Sequence, residues 1–173
     1  MDLLEKLKEH HLEQYTHSKR VSILCVLIGF KLGLSLEQLN ELDTIGLYHD
    51  IGKIKIPIEI LGKKGKLTQQ EYTLIKLHSL YSSMLIKNES KTIREAVLYH
   101  HENLDGSGYF HIKGDHLNIY QRILHVADVY EALTAERCYK KPWSKEEAYQ
   151  YMADHIDTMF DKQIVETLKD IIF

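Results

Sequence analysis

Cysteine and proline are nearly missing from this chain of 173 residues, and no apolar run is long. The two cysteines, Cys25 and Cys138, have no metal-ligand spacing, and in a reducing compartment they would stay thiols. The two prolines, Pro57 and Pro142, leave long stretches in which nothing interrupts a helix. The most apolar segment, Val21 to Phe30, falls well short of the ~18 residues that would span a bilayer. The opening Met1-Asp2-Leu3-Leu4-Glu5 lacks the basic start of a signal peptide, so a cytoplasmic protein without a membrane contact is expected. Positive charge is not in excess either. A net charge of -3 argues against a DNA or RNA polymer as partner and leaves room for a small anionic ligand held in a local basic pocket. The length suits one domain, residues 1–173, around one core.

What the chain does hold in excess is histidine, 11 residues, and their placement follows the helical periodicity. Leu4, Leu7 and His11 begin a first helix. Val21, Leu24, Cys25 and Ile28 stand at i, i+3, i+4 and i+7, the stripe of a core-facing helix running to about Gly33. Ser35 caps a helix that continues through Leu39, Leu42 and Gly46 to Asp50. Thr68 with Glu71 forms a capping-box signature for a helix carrying Leu74, Leu77 and Leu85. Further helices are expected over roughly 91–103, 118–136, 145–157 and 161–172, with glycine-bearing loops at 52–65 and 105–109. No strand-like alternation appears. The expected fold is all-α, a single-domain bundle of about seven or eight helices.

Metal-ligating side chains fall on the apolar stripes of these helices. His17 extends the stripe of Val21, with Glu13 one turn before it. His49 and Asp50 continue the stripe of Leu42 and Gly46. His78 follows Leu74 by four, His100 follows Val97 by three with His101 beside it, and Asp128 follows Leu124 by four. Any one of them alone is more often a satisfied core residue than a ligand. Together they would crowd one interior with polar groups that are costly to bury unpaired. Divalent ions resolve that cost, and a mixed nitrogen and oxygen set without cysteine suits two or more iron or manganese ions better than structural zinc. His10, His11, His111, His116, His125 and His155 lie mostly on polar or loop positions and are not expected to ligate metal.

The ordered series Glu13-x3-His17, His49-Asp50-Ile51-Gly52-Lys53, Lys76-x-His78, His100-His101-Glu102-x2-Asp105-Gly106-Ser107-Gly108-Tyr109 and Val126-Ala127-Asp128 resembles the HD-GYP family of bacterial phosphodiesterases over nearly the whole chain. The resemblance implies metal ligation by His17, His49, Asp50, His78, His100, His101 and Asp128, with Glu13 matching an extra ligand that some members use for a third ion. It implies two or three divalent ions in all. Lys53 would face the reacting phosphate, and Tyr109, Arg137 and Lys140 would contact the substrate, cyclic di-GMP or a related cyclic dinucleotide. A regulatory or signalling protein partner would meet the Gly108-Tyr109-Phe110 loop. Members usually carry a sensory or receiver domain ahead of this one. Here the match begins at Glu13, so such a regulator is expected to be absent, on a separate chain, or on a part of the protein outside this sequence.

A carboxylate such as Asp50 can bridge two ions roughly 3.5–4 Å apart, which share a water and lower its pKa so that hydroxide attacks phosphorus. Lys53, three residues on, would offset charge growing on the phosphate oxygens. Tyr109 would stack on a guanine, with Gly106 and Gly108 allowing close approach, while Arg137 and Lys140 bind the second phosphate or a guanine edge. The chain departs from the family pattern twice: Phe110 stands where the signature ends in proline, and Lys64 stands where the loop after Leu61 usually has proline. Neither position is a ligand, so the departures bear on substrate and partner choice. Competing readings are a phosphohydrolase for another nucleotide, and a signalling module that binds without turnover. The second would be expected to have lost ligands, and none is missing here.

Overall fold

The computed structural model describes residues 2–136 and 141–173. All regular structure among them is helical: α1 (Leu3–His10), α2 (Leu12–Lys31), α3 (Leu36–Tyr48), a 3-10 turn (Ile51–Lys55), α4 (Ile58–Leu61), α5 (Gln69–Lys76), α6 (His78–Leu85), α7 (Lys91–Leu98), a second 3-10 turn (Gly114–His116), α8 (Ile119–Thr134), α9 (Lys145–Asp154) and α10 (Lys162–Ile172). The all-α expectation holds. The helical segments outnumber the expected seven or eight because the helix expected from Thr68 through Leu85 breaks and α4 is a single turn.

Local contacts set several of the helix boundaries. His11 takes an extended conformation and its side chain accepts the amide of Gln14, so it caps α2 rather than extending α1. The helix begun by the Thr68–Glu71 capping box stops at Lys76, and a new one starts at His78. The Ser35 cap is completed by Gln38, whose side chain reaches back to the Ser35 amide. Gly33, at φ 77, closes α2 in the left-handed region that side chains disfavour.

Helix α2 is the centre, packed against α3 on one side and α8 on another, with α10 closing the far end. Val21, Cys25 and Ile28 of its stripe are fully buried. Helices α2 and α3 cross closely where Gly46 meets Ser22, since a Cβ on Gly46 would lie 2.4 Å from the Ser22 Cα. That crossing sets His17, just before Ser22, opposite His49, just after Gly46. A second close approach joins the 3-10 turn to α6: the Gly52 amide donates to Ser82 Oγ at 2.8 Å, and a Cβ there would sit 2.1 Å from the His78 carbonyl oxygen. Both glycines thus bring together segments that carry the candidate ligands. Gly46→Ala should lower unfolding free energy by about 1–3 kcal/mol, because backbone rather than a flexible side chain must move; a denaturant titration showing wild-type stability would refute the tight crossing.

No helix among the described residues is long and apolar enough to cross a membrane.

Candidate metal centre

Seven of the residues singled out for metal surround one interior, some within helices and some at helix ends. His17 lies in α2 and Asp128 in α8, while His49 ends α3 with Asp50 next to it and His78 begins α6. His100 and His101 follow α7, which stops at Leu98 rather than continuing to 103 as expected. Three groups have ligand atoms within 4.8 Å of one another: His17, His49 and Asp50; His49, His100 and Asp128; and His78, His100 and His101. The groups share members, so they form one continuous cluster. His49 and His100 are fully buried, and Asp50 is 2% exposed.

The ring orientations are set from behind. Nδ1 of His49 donates to the Gly46 carbonyl at 2.8 Å, that of His78 to Ile75 at 2.6 Å, and that of His100 to Val97 at 2.7 Å. Each bond spans three residues, so the helix end itself holds the ring. With the Nδ1 bond so placed, each ring turns Nε2 inward, a bare lone pair when the imidazole is neutral and, in His49, one freed only when its second proton leaves. His17 is oriented instead by the carboxylate of Glu131, which also accepts from Arg20 Nε.

The inward atoms are close. Nε2 of His17 lies 3.3 Å from that of His49, and Nε2 of His78 lies 3.3 Å from that of His100 and 3.2 Å from that of His101. Two nitrogens each ~2.1 Å from a shared ion, at octahedral to tetrahedral angles, stand about 3.0–3.4 Å apart. The spacing fits coordination. Asp50 reaches both halves: Oδ1 is 3.1 Å from His78 Nε2, and Oδ2 is 3.3 Å from His49 Nε2 and 3.5 Å from His17 Nε2. Its Oδ1 is buried and accepts no hydrogen bond among the described residues. Asp128 Oδ1 lies 3.0 Å from His17 Nε2 and 3.7 Å from His49 Nε2.

Electrostatics divide the cluster. Burial opposes charge on every group, yet Lys53 and His49 hold Asp50 well below the ordinary carboxylate range, and bonds from His17 and His49 do the same for Asp128. His49 is pulled down by burial but raised overall to about 10 by the Asp50 charge and by bonds to Asp128 and Asp50. His100 is pushed down to about 3 by burial and by its neighbours His49 and His78, and His101 is lowered in the same way. Ionised carboxylates on one side and neutral imidazoles on the other make a mixed donor set for divalent ions. Cys25 takes no part, since burial keeps its thiol protonated.

The other predicted site residues are placed as follows. Lys53 lies in the 3-10 turn after Asp50, its ammonium donating to Asp50 Oδ2 at 2.6 Å and to Gln14 Oε1 at 2.8 Å. With only 15% of its side chain exposed, it is not a solvated lysine at a helix end. Glu13 sits in the first turn of α2, one turn before His17, partly buried and outside the three groups. Tyr109 presents its ring to His101, centroid to centroid 4.6 Å, with Lys76 Nζ 4.6 Å from its centre. That ring therefore lies against His101. Phe110 is exposed and packs edge-on against Tyr99. Arg137 and Lys140 lie outside the described residues.

Several participants escaped the sequence reading. Glu131 was missed although it follows Asp128 by three, one turn along the same face of α8. Glu102, 2% exposed, accepts the amides of Phe110 at 2.7 Å and Ile112 at 2.8 Å and so shapes the glycine loop. His125 is not on a polar or loop position: it is buried in α8, with Nδ1 donating to the His100 carbonyl at 3.0 Å and Nε2 facing Asn103 Oδ1 at 3.1 Å. Those bonds occupy both of its nitrogens away from the cluster. Glu131→Gln should weaken metal affinity about 10–100-fold, since it removes the charge that orients His17; unchanged affinity in a chelator competition would show that Glu131 only packs.

The family model described as HD domain matches residues 1–164. The chain is 35% identical over 165 residues to a cyclic di-GMP phosphodiesterase of Pseudomonas aeruginosa, covering 93% of this chain and 40% of that protein. It is 36% identical over 159 residues to 3'3'-cGAMP-specific phosphodiesterase 1 of Vibrio cholerae, covering 89% of this chain and 37% of that one. The chain thus spans less than half the length of these curated relatives. Among solved structures, the HD domain of L. monocytogenes phosphodiesterase PgpH in complex with cyclic-di-AMP superposes at TM-score 0.73 and 20% identity, covering 97% of this chain and 92% of that one. An HDG"Y"P protein from Bdellovibrio bacteriovorus reaches TM-score 0.73 at 21% identity, covering 90% of this chain and 51% of that one. At such identities the likeness is one of fold.

Proposed function

The chain belongs to the HD domain family, and on that premise we propose that it is a metal-dependent phosphodiesterase that opens a cyclic dinucleotide, cyclic di-GMP first. The observation that carries the reading is the set of inward Nε2 atoms and shared carboxylate oxygens spaced for coordination. His17, His49, Asp50, His78, His100, His101 and Asp128 would hold the ions, iron or manganese, with Asp50 placed to serve both halves of the cluster. The bound ions would supply Lewis acidity and an activated water at neutral pH.

The chain's own residues then divide the remaining work. Lys53, anchored by Gln14 and Asp50, sets a positive charge at the rim of the cluster, where phosphate oxygens gain charge during cleavage. Burial of the ligands keeps water from reaching them at random, which strengthens each charge. Tyr109 would contact a base with the ring edge or face left free by His101, and Arg137 and Lys140 would contact phosphate or base. Glu13 would complete a third ion with His17; if so, Glu13→Gln should lower the metal-to-protein ratio by one, and an unchanged ratio by elemental analysis would remove that ion from the proposal.

Turnover by protein loaded with iron or manganese without oxygen, against cyclic di-GMP, 3'3'-cGAMP and cyclic di-AMP, tests the reading. Cleavage of cyclic di-GMP as the best substrate is the expected result. Metal-replete protein that cleaves none of them would overturn it. A second reading, preference for 3'3'-cGAMP, draws on the relative named for that substrate and on Phe110, which stands next to Tyr109 where the family's signature has proline.

A further inference from the structure

A cavity of about 360 Å³ opens beside Lys53, walled by Gln14, Leu61, Lys64, Leu67 and Ile75. Its inner wall is one side chain away from the metal cluster, because Lys53 and Gln14 are bonded to each other and Lys53 to Asp50. Its outer wall is the loop between α4 and α5, which carries Lys63, Lys64 and Lys66. These lysines are not equivalent. The Lys63 ammonium is committed to Glu71, 2.8 Å and 2.6 Å from its two oxygens, and Glu71 also accepts the Thr68 amide. That ties the loop to the start of α5. Lys66 does not line the cavity. Lys64 does, is exposed, and has no carboxylate partner among the described residues. It is also one of the chain's two departures from the family pattern, a cation where a proline ring is usual.

We propose that this cavity is a subsite for the half of a cyclic dinucleotide that is not being cleaved, with Lys64 contacting its phosphodiester. The inference rests on the cyclic dinucleotide reading above and adds a binding residue to it. A cyclic dinucleotide carries two anionic phosphodiesters, and only one can sit at the metal cluster. The other needs a cation rather than apolar walls alone, and Lys64 would take it here, which leaves a guanine edge to Arg137 and Lys140. An ammonium on a flexible stem suits it, since it needs no fixed approach angle. Ile60, Leu61, Leu67 and Ile75 offer apolar surface to a base. The volume lies near the lower end of ~300–1,000 Å³ for ligand pockets, which suits one nucleotide half rather than the whole ring.

Metal-loaded wild type, Lys64→Ala and Lys64→Pro would be assayed on cyclic di-GMP and on bis(p-nitrophenyl) phosphate, a diester with one phosphate. Equilibrium binding of a cleavage-resistant phosphorothioate cyclic di-GMP would be measured in parallel. Both variants should raise KM for cyclic di-GMP about tenfold relative to KM for the single diester, and weaken analogue binding by a similar factor. The analogue's affinity should also become less sensitive to salt. If wild type cleaves cyclic di-GMP while the variants match it in KM and analogue affinity, the subsite is wrong and the phosphodiesterase reading stands. Equal losses on both diesters would also overturn the subsite, placing Lys64's influence at the metal cluster. A wild type that cleaves the single diester but neither binds nor cleaves a cyclic dinucleotide would overturn both.

Discussion

Asp50→Asn should abolish phosphodiester cleavage and strip most of the metal while leaving the helical content intact, and His49→Ala should do the same. Asp50 offers a different oxygen to each half of the cluster, Oδ1 to His78 and Oδ2 to His49 and His17. An asparagine of the same shape keeps one acceptor oxygen but loses the charge and turns an amide toward a histidine nitrogen. Divalent ions bound by several neutral imidazoles depend on such carboxylates for charge balance. His49 fills another role. It belongs to two of the three ligand groups, and its orientation is set by its own helix end through Gly46. Its removal opens both groups at once. Circular dichroism separates loss of site from loss of fold, because the core around Val21, Leu42 and Ile45 does not depend on either side chain. A variant that retains full metal occupancy and turnover would refute the placement of the site.

How much of this was readable from the residues depends on how local the cause is. The capping boxes at Ser35–Gln38 and Thr68–Glu71 were legible because both partners lie within one helical turn. The stripes of α2, α3 and α8 were legible for the same reason, and with them the inward direction of His17, His49 and Asp128. The stop at Lys76 was not, because Leu74, Leu77 and Leu85 keep helical spacing through the break. What ends the helix there is tertiary: the 3-10 turn presses Gly52 against the His78 carbonyl. The orienting residues were hidden by distance along the chain. Glu131 meets a histidine 114 positions earlier, and Gln14 meets Lys53 39 positions later. His125 could have been found, since it precedes Asp128 by three on a stripe already recognised as buried. The ordered motif series carried the family, and residues 1–164 match it.

Lys53→Ala should lower kcat by about 10²–10³ while changing KM much less, provided Lys53 acts on charge that develops in the transition state. The structure sharpens this expectation. Lys53 is held on two sides, by Gln14 and by Asp50, so its ammonium is positioned before any substrate arrives. Such preorganisation is what makes a fixed charge effective in a buried site. The same contact with Asp50 raises a rival explanation, in which Lys53 merely steadies the carboxylate. The two differ in metal binding. A steadying role predicts weaker metal retention in Lys53→Ala. A role on phosphate predicts metal content that does not fall, because deleting a cation beside the ions removes repulsion. Lys53→Arg should restore only part of the rate, since a planar guanidinium cannot sit as a point charge between Gln14 and Asp50. Gln14→Leu should give a milder loss of kcat by freeing the ammonium from one of its two anchors. If Lys53→Ala raises KM alone, the residue clamps the ground-state phosphate. If kcat and KM both stay at wild-type values with metal intact, Lys53 has no part in the reaction.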